Sequence, residues 1–100
     1  MMTLQQIRVK QVFTQVLNEC TKLNNEASDL LASAREGTIQ VPKARRLLDP
    51  IMRRACKMQN LATRIREYYS DWSDQDWFES LISIQRTEKE RYYILIDLIG

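Results

Sequence analysis

One hundred residues carrying fifteen Lys and Arg against thirteen Asp and Glu give a formal net charge of +2. A chain this long makes one small domain, able to bury a little over about 60% of its extended surface. With no histidine, two widely separated cysteines and no apolar run near the ~18 residues of a membrane span, the sequence excludes a zinc-ligand pattern and a transmembrane helix.

Two glycines and two prolines leave little material for turns, and the abundant Leu, Ala, Glu, Arg, Lys, Gln and Met favour helix. The expectation is a single all-α domain over residues 1–100, an antiparallel three-helix bundle of long helices. The N-terminus lacks the apolar core of a signal peptide, which leads to the expectation of a soluble, cytoplasmic protein in a reducing compartment.

The first helix is expected over about residues 3–35. Thr3 and Gln6 have the spacing of a capping box, with Met2 and Ile7 placed as a hydrophobic staple around it. Val9, Phe13, Val16, Cys20, Leu23, Ala27 and Leu30 then repeat at four and three, with Val12, Leu17 and Leu31 widening the stripe. Gly37 fits the left-handed position that ends a helix. Such a helix measures ~45 Å.

After an extended connector at Thr38–Val41, Pro42 suits the first turn of a second helix over about 42–71. Its apolar stripe is Ala44, Leu48, Ile51, Ala55, Met58, Ala62, Ile65, Tyr69 and Trp72, again four and three. Asp49–Pro50 interrupts the composition but not the phase. One helix kinked at Pro50 is the preferred expectation; the alternative is a short helix over Lys43–Leu48 and a longer one from Pro50.

Ser73 with Asp76 resembles a second capping box, and Trp72 with Trp77 a second staple, so a third helix is expected over about 74–98. Asp74, Asp76 and Glu79 would sit at the positive end of its dipole. Gln85–Arg91 is wholly polar. Tyr92–Ile99 is apolar except for Asp97, with apolar side chains in every direction, so this tail is either sandwiched or bound to something. As a lone strand it would have no pairing partner.

A hairpin turning near residue 38 brings Cys20 close to Cys56. Packed helix axes lie ~8–10 Å apart, whereas a disulfide needs Cα atoms within ~7 Å, so two free thiols are expected.

Two features point outward. Lys43–Arg66 holds eight cations and one acid, Asp49. Lys43, Arg46, Arg53, Lys57 and Arg64 lie opposite the apolar stripe, with Arg45, Arg54 and Arg66 beside them. A solvated helix face is the plain explanation of such a pattern; its single sign favours contact with an acidic partner. The residues expected to make that contact are Lys43, Arg46, Arg53, Arg54, Lys57 and Arg64. The second feature is the tail, where Tyr92, Tyr93, Ile96 and Ile99 would meet a partner or a second copy, against the plain explanation that they close the core. The heptads also admit a homodimer.

No base, activated nucleophile, phosphate loop or metal loop is legible, so no enzyme, cofactor or metal is expected. The functional expectation is a protein-protein interaction module, a small regulator, adaptor or inhibitor docking a larger protein with an acidic surface. The alternative is a helical bundle contacting nucleic-acid phosphates through the basic face. Against nucleic acid, no aromatic is interleaved with the cations, and the helices are too long for a helix-turn-helix reader.

Overall fold

The computed structural model describes all residues, Met1–Gly100. It is a three-helix bundle: α1 spans Leu4–Glu36, α2 Val41–Tyr68 and α3 Asp76–Ile99, with a single 3-10 turn at Ser70–Trp72 between the last two. The molecule is a rod of 52 × 18 × 17 Å, the length that 33 residues of α1 dictate.

The ends of α1 follow from its sequence. Gln6 N–H donates to Thr3 Oγ1 at 3.1 Å, and Thr3 N–H donates to Gln6 Oε1 at 2.9 Å. Two otherwise orphaned amides are thereby satisfied. At the far end Gly37 adopts φ 78°. Its N–H bonds to the Ala34 carbonyl, and the Thr38 N–H to that of Ser33, the double closure of a Schellman motif.

Helix α2 runs unbroken through Pro50, which excludes the split alternative. Proline removes the bond to the Arg46 carbonyl and costs ~3 kcal/mol inside a helix. Pro50 lies on the exposed side, where water can satisfy that carbonyl. On the opposite side Leu48, Ile51 and Ala55 keep packing against α1 and α3. Burial on one face thus offsets a defect confined to the other.

The third helix starts later than the sequence implies. Tyr69 and Trp72 leave the α-helical path, and Ser73 closes the 3-10 turn through its N–H to Ser70 O. Gln75, extended at φ −78° and ψ 132°, becomes the N-cap without a side-chain bond. The Ser73–Asp76 capping box therefore does not form, because Ser73 is committed to the preceding turn in helical geometry. Asp76 and Glu79 occupy the first turn of α3, and Asp74 precedes it. Trp72 and Trp77 do meet, with ring centroids 6.0 Å apart, but as links in an aromatic chain rather than as a staple. Tyr69 stacks on Trp72 at 4.9 Å, Trp77 meets Phe78 at 5.4 Å, and Phe78 meets the buried Phe13 at 5.6 Å. This chain ties the second turn to the core.

The largest core cluster joins Val9, Phe13, Val16, Leu17 and Cys20 of α1 to Ala62 and Ile65 of α2 and Phe78, Leu81 and Ile82 of α3. Two smaller ones follow, Leu23–Ala55–Tyr92 and Ala27–Leu48–Leu95. Every residue of the expected α2 stripe is buried or half-buried. The small side chains Ala55 and Ala62, both fully buried, let neighbouring helices approach closely.

The polar stretch of α3 is bridged to α1 and α2 by polar contacts, of which Asn24–Glu88 is buried. Gln85 Nε2 donates to Thr63 Oγ1 at 3.2 Å. Asn24 Nδ2 donates to the Glu88 carboxylate at 2.9 Å and to the Glu88 carbonyl at 3.0 Å. Arg91 holds both Glu88 oxygens at 3.0 Å and reaches Asn25 Oδ1 at 2.6 Å. Cys20 and Cys56 are free thiols, the first buried and the second exposed. Burial, with Glu88 and Glu19 nearby, pushes the Cys20 thiol up to about 11. No helix is long and apolar enough to cross a membrane.

Candidate interaction surfaces

Which way α2 faces is fixed by its contacts. Thr63 meets Gln85 of α3, and Arg54 Nε bonds Glu19 Oε1 of α1 at 2.9 Å. The arc left between those directions looks away from both neighbours. Arg46, Arg53, Lys57 and Arg64, separated by seven, four and seven residues, fall within that arc. All four are exposed, and they span ~27 Å of helix.

The cations differ in what holds them. Arg53 pairs with Asp49 one turn away at 2.9 Å, both largely in solvent. Arg54 is tied across to α1, and its hydrogen bond is the main cause that holds the Glu19 carboxyl below the ordinary carboxylate value. Lys43, Arg46, Lys57 and Arg64 are exposed and take part in no ion pair of the molecule. Of the six residues expected to contact a partner, four are thus unpaired cations, one is paired on its own helix and one is an interhelical strut.

Exposed apolar side chains line one edge of this face. Leu47, Leu61 and Tyr68 stand between or beside Lys43, Lys57 and Arg64 on the border toward α1, and Tyr68 is 81% exposed. This edge escaped sequence reasoning because the core stripe already accounted for the apolar periodicity. Its signal is a second four-and-three series, Lys43, Leu47, Pro50, Arg54, Lys57, Leu61, Arg64, Tyr68. Leu61, with Val12 of α1, edges an apolar depression between α1 and the end of α2, and Tyr68 lines a neighbouring one at the end of α2 itself.

The tail divides. Tyr92 is buried against Leu23 and Ala55, and Ile99 packs on Ala27, Leu48 and Leu95. Tyr92 belongs to the core, and Ile99 is half-buried against it. Burial, together with the Cys56 thiol beside it, pushes the Tyr92 hydroxyl up to about 12. Tyr93 and Ile96 are exposed, joined by Ile94 and Leu98, each more than half exposed. The outward part of the tail is therefore Tyr93, Ile94, Ile96 and Leu98, around a helix end that holds its place through Tyr92, Leu95 and Ile99.

No three carboxylate or thiol side chains come together as a metal site. A depression of about 560 Å³ between α2 and α3 carries Arg66 and Arg86, but Glu67 and Glu79 line it too, so its charge cancels. No protein-family model, curated protein or solved structure matches this chain.

Proposed function

We propose that the chain is a non-enzymatic interaction module, a small regulator, adaptor or inhibitor that docks a larger protein with an acidic surface. The observation that carries this reading is the arc of Arg46, Lys57 and Arg64, exposed and without a carboxylate partner in the molecule. Unpaired cations of one sign attract an acidic surface and speed encounter, and they are not consumed by intramolecular pairing. Tyr93 and Ile96 supply a second, apolar contact. Affinity purification of the intact protein tests the proposal. It predicts a stoichiometric protein partner that survives nuclease treatment and is lost when Arg46, Lys57 and Arg64 are changed to glutamate.

A second reading is favoured by the length of the arc, which is long enough to track a phosphate backbone. With about four phosphate contacts, the logarithm of the duplex affinity should fall with a slope near −3.6 against the logarithm of salt. A homodimer through the heptad seams is the third arrangement, and sedimentation over a concentration series separates it from the other two.

A further inference from the structure

We infer that the groove between the start of α1 and the end of α2, on the side away from α3, receives an acidic amphipathic helix from a partner protein. This rests on the protein-binding reading above and gives it a location and a ligand chemistry. The groove is a depression of about 350 Å³ lined by α1, α2 and Tyr69 just past the end of α2, chiefly Val12, Leu61, Ile65 and Tyr69, with Arg8 on the α1 bank. A neighbouring depression of about 630 Å³ shares Ile65 and Tyr69 and adds Tyr68, Arg64 and Glu67; its two charges offset each other, so it extends the apolar seat while the cationic shoulders belong to the first depression. Two packed helices with an apolar furrow between them offer the seat of a third helix, read by side chains at i, i+3 or i+4, and i+7.

The charge around the furrow selects the sign of that helix. Met1–Asn18 contains Arg8 and Lys10 and no acid, and Pro50–Arg66 contains Arg53, Arg54, Lys57, Arg64 and Arg66 and no acid. These two acid-free stretches run side by side in the bundle. The Glu19–Arg54 pair closes the region: it lies seven residues beyond Val12 on α1 and seven before Leu61 on α2. A helix with apolar side chains in the furrow and carboxylates on both shoulders would meet Arg8 on one bank and Lys57 and Arg64 on the other. A basic or uncharged helix would leave those cations without partners, which sets the specificity.

The test is selection of a displayed library of helical peptides, varied at all outward positions, against the intact protein, alongside sedimentation and a duplex DNA titration. The expected binders are net negative with apolar residues at three-and-four spacing. Val12→Glu, Leu61→Glu and Arg64→Glu should each weaken them about tenfold or more, and Ser80→Glu, at an exposed position of α3 outside both proposed surfaces, should leave them unchanged. Val12 and Leu61 are partly exposed, and circular dichroism checks that these variants fold. Binders that ignore Leu61→Glu but fail with Arg46→Glu would overturn the groove and spare the protein-binding reading. Recovery of no binder at all would count against both. Neutral or basic binders, a dimer broken by Leu61→Glu, or DNA binding weakened by Leu61→Glu without acidic peptides would each assign the groove otherwise and overturn the inference.

Discussion

Asn24 of α1 donates its side-chain amide to both the carboxylate and the carbonyl of Glu88 in α3, at 2.9 and 3.0 Å, in a site closed to solvent. This contact joins elements sixty-four residues apart and fixes the height at which α3 lies against α1. An apolar layer would tolerate a slip of α3 by a turn; a buried carboxylate that needs Asn24 and Arg91 does not.

Asn24→Ala should therefore cost about 2–3 kcal/mol, since it strips a hydrogen bond from a charged, buried acceptor. The double change Asn24→Leu with Glu88→Leu should cost less than the sum of the two single changes, because both break the same contact; Arg91, which loses its carboxylate, is about a third exposed and can turn to solvent. Urea unfolding of the variants measures both. Additive losses in the pair would contradict the coupling.

Pro50 is an exposed defect in an otherwise continuous helix. Pro50→Ala restores the amide that the Arg46 carbonyl lacks and relieves the ring clash, so it should stabilise the protein by about 1–3 kcal/mol. Thermal unfolding reads this as a higher Tm. A lower Tm would mean that the ring itself holds the shape of α2.

Gly37 has the opposite character. Open space surrounds it, but its φ of 78° suits few side chains. Gly37→Ala should cost about 1–2 kcal/mol through backbone strain alone, and Gly37→Asn less than Gly37→Ala. Chemical denaturation ranks the three.

Alkaline and thiol chemistry report on the core. Folding raises the Cys20 thiol from its ordinary 9.0 to about 11 and the Tyr92 hydroxyl from 10.0 to about 12. Groups raised in the native state stabilise it fully below their ordinary values, and that stability is lost as pH rises through the native ones. Stability should thus hold to about pH 9 and fall between there and pH 12. Glu19 acts in the other direction: its lowered value adds stability above the ordinary 4.5 that disappears as pH falls through the native value. Iodoacetamide should label the exposed Cys56 readily and Cys20 at the rate of unfolding, which mass spectrometry separates.

The capping box at Thr3, the αL stop at Gly37 and the α2 stripe from Ala44 to Ile65 were legible because each is a local rule with a fixed spacing; Tyr69 and Trp72 continue the spacing but lie past the helix end. The start of α3 was not. Ser73 carries the right side chain, but the aromatic packing of Tyr69, Trp72 and Trp77 places it in a 3-10 turn. The polar layer was hidden for another reason. Gln85 and Glu88 occupy the same four-and-three series as Phe78, Leu81, Tyr92, Leu95 and Ile99, yet a polar residue reads as outward until its partner on another helix is known. Asn24 misleads in the same way. The face carrying Arg46, Lys57 and Arg64 follows from periodicity alone. That Arg54 is a strut to Glu19, and that Tyr92 and Ile99 close the core, required the relative placement of helices.

Whether Arg46, Lys57 and Arg64 form a docking face for a protein is decided by a single bait comparison. The intact protein and its Arg46→Glu, Lys57→Glu, Arg64→Glu variant are used as parallel baits after nuclease treatment, with matched circular dichroism spectra confirming that both are folded. A stoichiometric protein partner is expected on the native bait and is lost from the variant. Equal recovery on both baits, or a native bait that retains nothing once nucleic acid is digested, would contradict it.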